Sequence, residues 1–289
     1  MTRYVILGAG GVGGTIGGAL AAAGHEVVLV ARGAHLEALR ASGLRLVTPR
    51  RTLRPSVRSV GGPDELSLTE DDVLILAVKS QDTLPLVEQW SRQSVRPSGT
   101  SAGEALPLIC AQNGVANELA ALRYFERVYG VCTWLPATLA EPGVIVAEGA
   151  PGFGVLDVGR VGNLSNADRT TADADALAFA DDLTEAGFAA YATSDVMPWK
   201  YGKLLRNLSN AIQAACGTTS SPRRNSRVSP RPKAKPSTGR LGSRPSTSKR
   251  PMQSVATTFT SLKLRGIRAV AGRRGRASSA GSRPLRSTI

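Results

Sequence analysis

The sequence predicts an α/β protein with a doubly wound, mainly parallel sheet through about residue 190 and a helical element after it. Three observations predict this. Apolar runs at 4–7, 27–30 and 73–78 (VLILAV) have the continuous β-branched and Leu character of strands buried on both faces. Segments with helical periodicity separate these runs, as a parallel sheet requires. A glycine-rich turn, GAGGVGG, joins the first run to the first helix.

The elements follow in order. Strand 4–7 ends at Gly8, and an Ala/Gly-rich helix runs to the turn at Gly24-His25. Strand 27–30 precedes a helical stretch at 35–42 and short alternating β segments within 44–60. Asp71-Asp72 introduces strand 73–78, and 79–90 (KSQDTLPLVEQW) reads as helix. Residues 93–105 are polar and Gly/Ser/Pro-rich, which predicts a loop. Residues 106–114 read as a strand ending in a turn, 116–125 as a helix, and 127–149 as β segments around a Pro-Gly turn. A helix at 172–187 and a short strand at Ala189–Ala192 follow. Residues 195–216 read as one long helix, with Trp199, Leu204, Leu208, Ala211 and Ala215 near one stripe. Periodicity stops near Gly217.

The formal charge of +14 averages two unlike segments. Residues 1–216 hold 18 basic and 22 acidic side chains, a net −4. Residues 217–289 hold 18 basic side chains and no acid, a net +18. This second segment is rich in Arg, Ser, Pro, Thr and Gly, with Phe259 its one aromatic residue. It lacks the large apolar residues that offset the entropy of ordering, so it is expected to be disordered. Its charge alone predicts non-specific attraction to nucleic acid or anionic surfaces, without a recognition motif.

Three cysteines in unpaired spacing argue against a disulfide framework and for a reducing cytoplasm. With two histidines in the chain, no His/Cys metal cluster is expected. No apolar run approaches the roughly 20 residues of a membrane span.

Gly8-Ala9-Gly10-Gly11-Val12-Gly13 fits G-x-G-x-x-G in the strand–turn–helix setting that gives the pattern meaning. Gly8 permits the tight turn, Gly10 lets backbone approach a pyrophosphate, and Gly13 lets helix and strand pack closely. The second strand ends at Ala31-Arg32, where an NAD site usually has an acid for the ribose 2′-hydroxyl. Arginine there suits a 2′-phosphate and points to NADP, although a solvated surface residue reads the same in sequence. Lys79 and Asn113-Gly114 follow strands at the carboxyl edge, where such sheets bind ligands. Asn-Gly is also ordinary turn chemistry. Lys203, Asn207 and Asn210 share a helix face. An ammonium can protonate a developing alkoxide, but from these residues alone a solvated polar stripe beside Lys200 and Arg206 is the stronger reading.

GAGGVGG, VKSQDT at 78–83, QNGVANE at 112–118, PGVI at 143–146 and WKYGKLLRNLSNA at 199–211 occur in the order found in ketopantoate reductases. The chain resembles that family from residue 3 to about 216. The resemblance implies an NADPH-binding Rossmann domain at 1–193 and the first helix of an all-helical domain at 194–216. It implies reduction of 2-dehydropantoate, or a related 2-keto acid, to pantoate for pantothenate and coenzyme A synthesis. Lys203 is implied as proton donor and Asn113, Asn207 and Asn210 as substrate contacts, with Asn113 also beside the nicotinamide. Gly8, Gly10, Gly11, Val12, Gly13, Arg32 and Lys79 are implied as cofactor contacts.

Residues 217–289 depart from the family, which continues with a segment resembling GGxSxWQSLxRG…VEVDYLNGE. A frameshift accounts for the departure. One coding of residues 274–279, read from the third base, gives Trp-Gln-Ser-Leu-Val, and one coding of 286–289 in the same phase gives Val-Asp-Tyr. The expectation is therefore a mildly acidic reductase segment joined to an out-of-frame tail.

Overall fold

The computed structural model describes residues 2–162 and 171–216, with side chains through Leu208. The chain divides into compact units at Met1–Pro222 and Arg223–Ile289, and every described residue belongs to the first. The expectations for 217–289 lie outside the described residues.

Eight strands form the main sheet: β1 (Arg3–Leu7), β2 (Glu26–Val30), β3 (Arg58–Val60), β4 (Asp72–Leu76), β5 (Pro107–Cys110), β6 (Arg127–Trp134), β7 (Val155–Val161) and β8 (Ala189–Ala192). Their spatial order is β3-β2-β1-β4-β5-β6-β7-β8. Pairing is parallel from β3 to β6, β7 runs antiparallel to β6, and β8 is parallel to β7. The order reverses between β1 and β4, which opens a crevice at their carboxyl ends. The apolar runs serve both faces: Tyr4 and Ile6 enter one core, and Val5 and Leu7 the other. This is the α/β, Rossmann-like architecture expected.

Helix α1 (Gly11–Ala22) lies between this sheet and a smaller one. The smaller sheet has the order Ala137–Glu141, Val144–Ala147, Arg45–Val47, Thr52–Leu53. Glycine lets it approach: a Cβ on Gly11 would stand 2.7 Å from the Ala137 carbonyl oxygen. Helices α2 (Gly33–Ser42), α3 (Thr83–Ser91), α4 (Asn117–Ala121), α5 (Ala174–Glu185) and α6 (Met197–Cys216) complete the elements needed below.

Four local expectations change. The expected loop at 93–105 contains a strand pair, Val95–Arg96 on Leu68–Thr69, and a helical turn at Ala102–Ala105. The expected helix at 116–125 contracts to α4, after which Leu122 and Tyr124 close short turns. Strand β7 was not foreseen. Its glycine interrupts the apolar run, and contact with Thr193 and Val196 explains that glycine. On α6 the apolar stripe is buried only in part, with Trp199 and Leu204 half-buried and Leu208 exposed. Lys200 is buried, while Leu205 and Leu208 are 67% and 49% exposed.

Candidate functional site

The carboxyl ends of β1, β2, β4, β5 and β6 meet at one edge. Gly8 N–H donates to the Val30 carbonyl, Ala77 N–H to Leu7, and Ala111 N–H to Leu76. This edge gathers the glycine turn, Arg32, Lys79 and Asn113.

Gly8 has φ +105°, and a Cβ there would lie 2.6 Å from Val78 Cγ1. Gly13 faces Ala77 Cβ and Ile6 Cγ2, which a Cβ would meet at 2.8 and 3.0 Å. A Cβ on Gly10 would meet nothing within 4 Å, so that backbone faces open space. Gly10 caps α1 without a side-chain hydrogen bond, and the first turn has no acid. A twelve-residue helix thus presents its N–H groups and positive dipole end to the crevice, where an anion fits.

Arg32 precedes α2 and reaches Asp82 at 3.2 Å, with its side chain 85% exposed. Lys79 is exposed at the start of the turn Ser80–Asp82. Both cations flank the crevice and suit phosphate oxygens.

A brace beneath the glycine turn has no sequence signature. His35 Nδ1 accepts from Gly143 N–H at 3.0 Å, so the ring proton belongs on Nε2, which lies 2.8 Å from the Ala9 carbonyl. The imidazole therefore ties the glycine turn to the Pro-Gly turn of the smaller sheet.

The second half of the site lies where α6 crosses the ends of β5 and β6. Asn113, Thr133, Lys203, Leu204 and Asn207 line a shallow cleft open to solvent. Lys203 Nζ donates to Asn113 Oδ1 at 2.6 Å and to the Thr133 carbonyl. It also lies 5.2 Å from the centre of the Trp134 ring, which Arg206 shares at 5.3 Å. Asn113-Gly114 is both a turn and a site element: Gly114 has φ +89°, and Asn117 Nδ2 donates to the Asn113 carbonyl at 3.0 Å. The Asn210 side chain lies outside the described residues.

Lys200 is not part of a solvated stripe. Its Nζ donates to the carbonyls of Gln112 at 2.8 Å and Val131 at 3.1 Å, and it stands 2.5 Å from Glu118 Oε1. That ion contact lies off the hydrogen-bonding direction, and neither Glu118 oxygen has a hydrogen-bond partner among the described residues. Gln112 Nε2 donates to Thr83 Oγ1, and Thr83 donates to Asn117 Oδ1. A polar network thus underlies the cleft. Spacing on α6 places Lys200 one turn before Lys203 but does not reveal its distant acceptors.

Cys132 lines the same cleft, and burial pushes its thiol up to about 11, so it stays neutral at ordinary pH. Elsewhere, His25, Asp182 and Glu185 present ligand atoms within 4.8 Å of one another, a grouping that counting histidines did not foresee. The Tyr4 hydroxyl donates to that Asp182 carboxylate at 2.5 Å. Among the described residues, no helix is long and apolar enough to cross a membrane.

A sequence profile described as "Ketopantoate reductase PanE/ApbA" matches residues 4–161, more than half of the chain. The chain belongs to the ketopantoate reductase family. This is a family of oxidoreductases. A 2-dehydropantoate 2-reductase of Archaeoglobus fulgidus is 31% identical over 218 residues, covering 74% of this chain and 64% of that protein. A ketopantoate reductase of Ralstonia eutropha JMP134 superposes with TM-score 0.60 at 26% identity, covering 74% of this chain and 64% of that one. A D-mandelate dehydrogenase solved with NADH and anilino(oxo)acetate shares the fold at TM-score 0.59 and 22% identity. The chain therefore spans less than two thirds of the A. fulgidus and R. eutropha family members.

Proposed function

We propose that this site reduces the ketone of 2-dehydropantoate, or of a related 2-keto acid, at the expense of NADPH. The observation that carries the reading is the meeting of Lys203 and Asn113 at the sheet edge that also carries the glycine turn. The backbone of residues 10–13 and the α1 dipole would hold the pyrophosphate, and Arg32 the 2′-phosphate. Lys79 would add a further cation. When bound, the nicotinamide would supply the hydride that reduces the ketone carbon. Lys203 donates the proton to the developing alkoxide and stabilises its charge, while Asn113 holds the ammonium in place. Asn207, one turn along α6, contacts the substrate, with Asn210 beyond it.

The tail qualifies this activity. Residues 217–289 are read as a frameshifted version of the helical domain, which leaves the cleft open to water and its apolar surroundings exposed. The 289-residue chain then binds NADPH weakly and turns over little. The gene sequence tests the first point: absence of the WQSL and VDY segments from the shifted frame ends that reading. The second test assays the encoded and frame-restored chains with NADPH and 2-dehydropantoate, with and without Lys203→Ala. Substrate-dependent NADPH oxidation by the restored chain that Lys203→Ala leaves intact would overturn the assignment of Lys203.

A further inference from the structure

Two lysines one helical turn apart on α6 bridge the same two chain segments. Lys200 reaches the carbonyls of Gln112 and Val131, and Lys203 reaches Asn113 Oδ1 and the Thr133 carbonyl. The first lysine sits one residue back along the β5 end and two residues back along β6. A one-residue slip of α6 breaks both sets of contacts together. Lys200 is 3% exposed and Glu118 fully buried, so the charge of each is balanced by the other in a desolvated setting. Two ammonium protons of Lys200 go to the Gln112 and Val131 carbonyls, which fixes direction as well as distance, and the Glu118 carboxylate beside them supplies the opposite charge.

We propose that the buried Lys200–Glu118 pair is the positioning device of the site: it sets the register of α6 on β5 and β6, and thereby where Lys203 stands. Lys200 and Glu118 are positioning residues that act through Lys203. A buried ion pair adds little net stability over apolar side chains of similar volume, so holding the helix down does not require it. The apolar contacts at the start of α6, Met197 and Trp199 against Val196, Cys132 and Val161, are non-directional, and the Cys132 thiol adds one long contact of 3.5 Å to the Trp199 carbonyl. They allow the helix to slide or roll, whereas the ion pair and its two carbonyl bonds do not. The inference rests on the reductase reading only for the importance of Lys203. The position of Lys203 can be read without any turnover.

The test is acylation of lysines in the full chain, quantified by peptide mass spectrometry across pH, with exposed Lys79 as the internal standard. Charged and titratable groups around the two ammonium groups include Glu118 from α4, Cys110 and Cys132 from β5 and β6, Asp157 from β7, and Arg206 from α6. Wild-type Lys203 is expected to react more slowly than Lys79. In Lys200→Met/Glu118→Leu, a cooperative melt is expected to persist while Lys203 labelling rises several-fold towards Lys79 and its pH profile shifts. A folded double variant with the wild-type rate and profile at Lys203 overturns the proposal. If the double variant does not fold, Glu118→Gln keeps the side-chain shape and removes the charge. Unchanged Lys203 labelling in that folded chain overturns the proposal equally. Failure of the reductase reading leaves these labelling results untouched, so the two failures are distinguishable.

Discussion

Lys203 donates to Asn113 Oδ1 at 2.6 Å across 90 positions of sequence. The contact joins the helix that follows the sheet to the turn that ends β5. It brings together two segments that carry little chemical meaning separately. In the frame-restored chain, Lys203→Ala should lower kcat by about a hundred- to ten-thousand-fold, the range for loss of a positioned acid. NADPH affinity, followed by nicotinamide fluorescence, should stay close to wild type. A parallel loss of NADPH binding would assign Lys203 to the cofactor instead.

Gly10 and Gly13 separate two roles of the glycine motif. At Gly13 an added Cβ collides with the Gly8 carbonyl oxygen and meets Ala77 Cβ at 2.8 Å, and at Gly10 it meets nothing within 4 Å. Gly13→Ala should cost about 1–3 kcal/mol of stability through overpacking. Gly10→Ala should leave the thermal midpoint nearly unchanged and weaken NADPH binding, because the methyl group points to where phosphate approaches. Thermal unfolding and cofactor titration of both variants check the contrast.

His35 is the only side chain among the described residues found bonded to both the glycine turn and the Pro-Gly turn. His35→Ala removes two hydrogen bonds, a loss of about 1–3 kcal/mol. Amide exchange should accelerate first around residues 8–10 and 143, ahead of the main sheet. Uniform acceleration across the sheet would contradict a local brace.

Arg3 grips Asp72 through two hydrogen bonds of 2.6 and 2.7 Å, and the Asp72 side chain is fully buried. The hydrogen bond to Asp72 raises the Arg3 pKa. Arg3→Leu leaves a buried carboxylate without its cation and should destabilise the chain by about 3–5 kcal/mol, measured by denaturant unfolding. Arg3→Leu/Asp72→Asn should recover part of that loss.

Cys132 gives a pH prediction. Burial favours its neutral thiol and lifts its pKa from 9.0 to about 11. The stability tied to the neutral form is intact below about 9, falls as the unfolded thiol ionises, and is lost as pH passes about 11. Native-state alkylation of Cys132 at pH 8 should accordingly be far slower than in denaturant. Equal rates would refute burial of this thiol.

Sequence by itself determined the alternation of strand and helix, the glycine turn, and the change of character at residue 217. These are legible because each is local. Strand burial shows as apolar runs, a close turn requires glycine, and charge is counted directly. The resemblance singled out Lys203, Asn113 and Asn207, but left the solvated-stripe reading open for the lysines of α6. Tertiary structure decided it for Lys200. Glu118 lies 82 positions before Lys200, and neither residue type announces the other. A lysine on a helix is a solvated charge until a distant carboxylate and two strand-end carbonyls surround it. Only packing supplies those partners, because desolvating an ammonium is tolerable only where they are already in place.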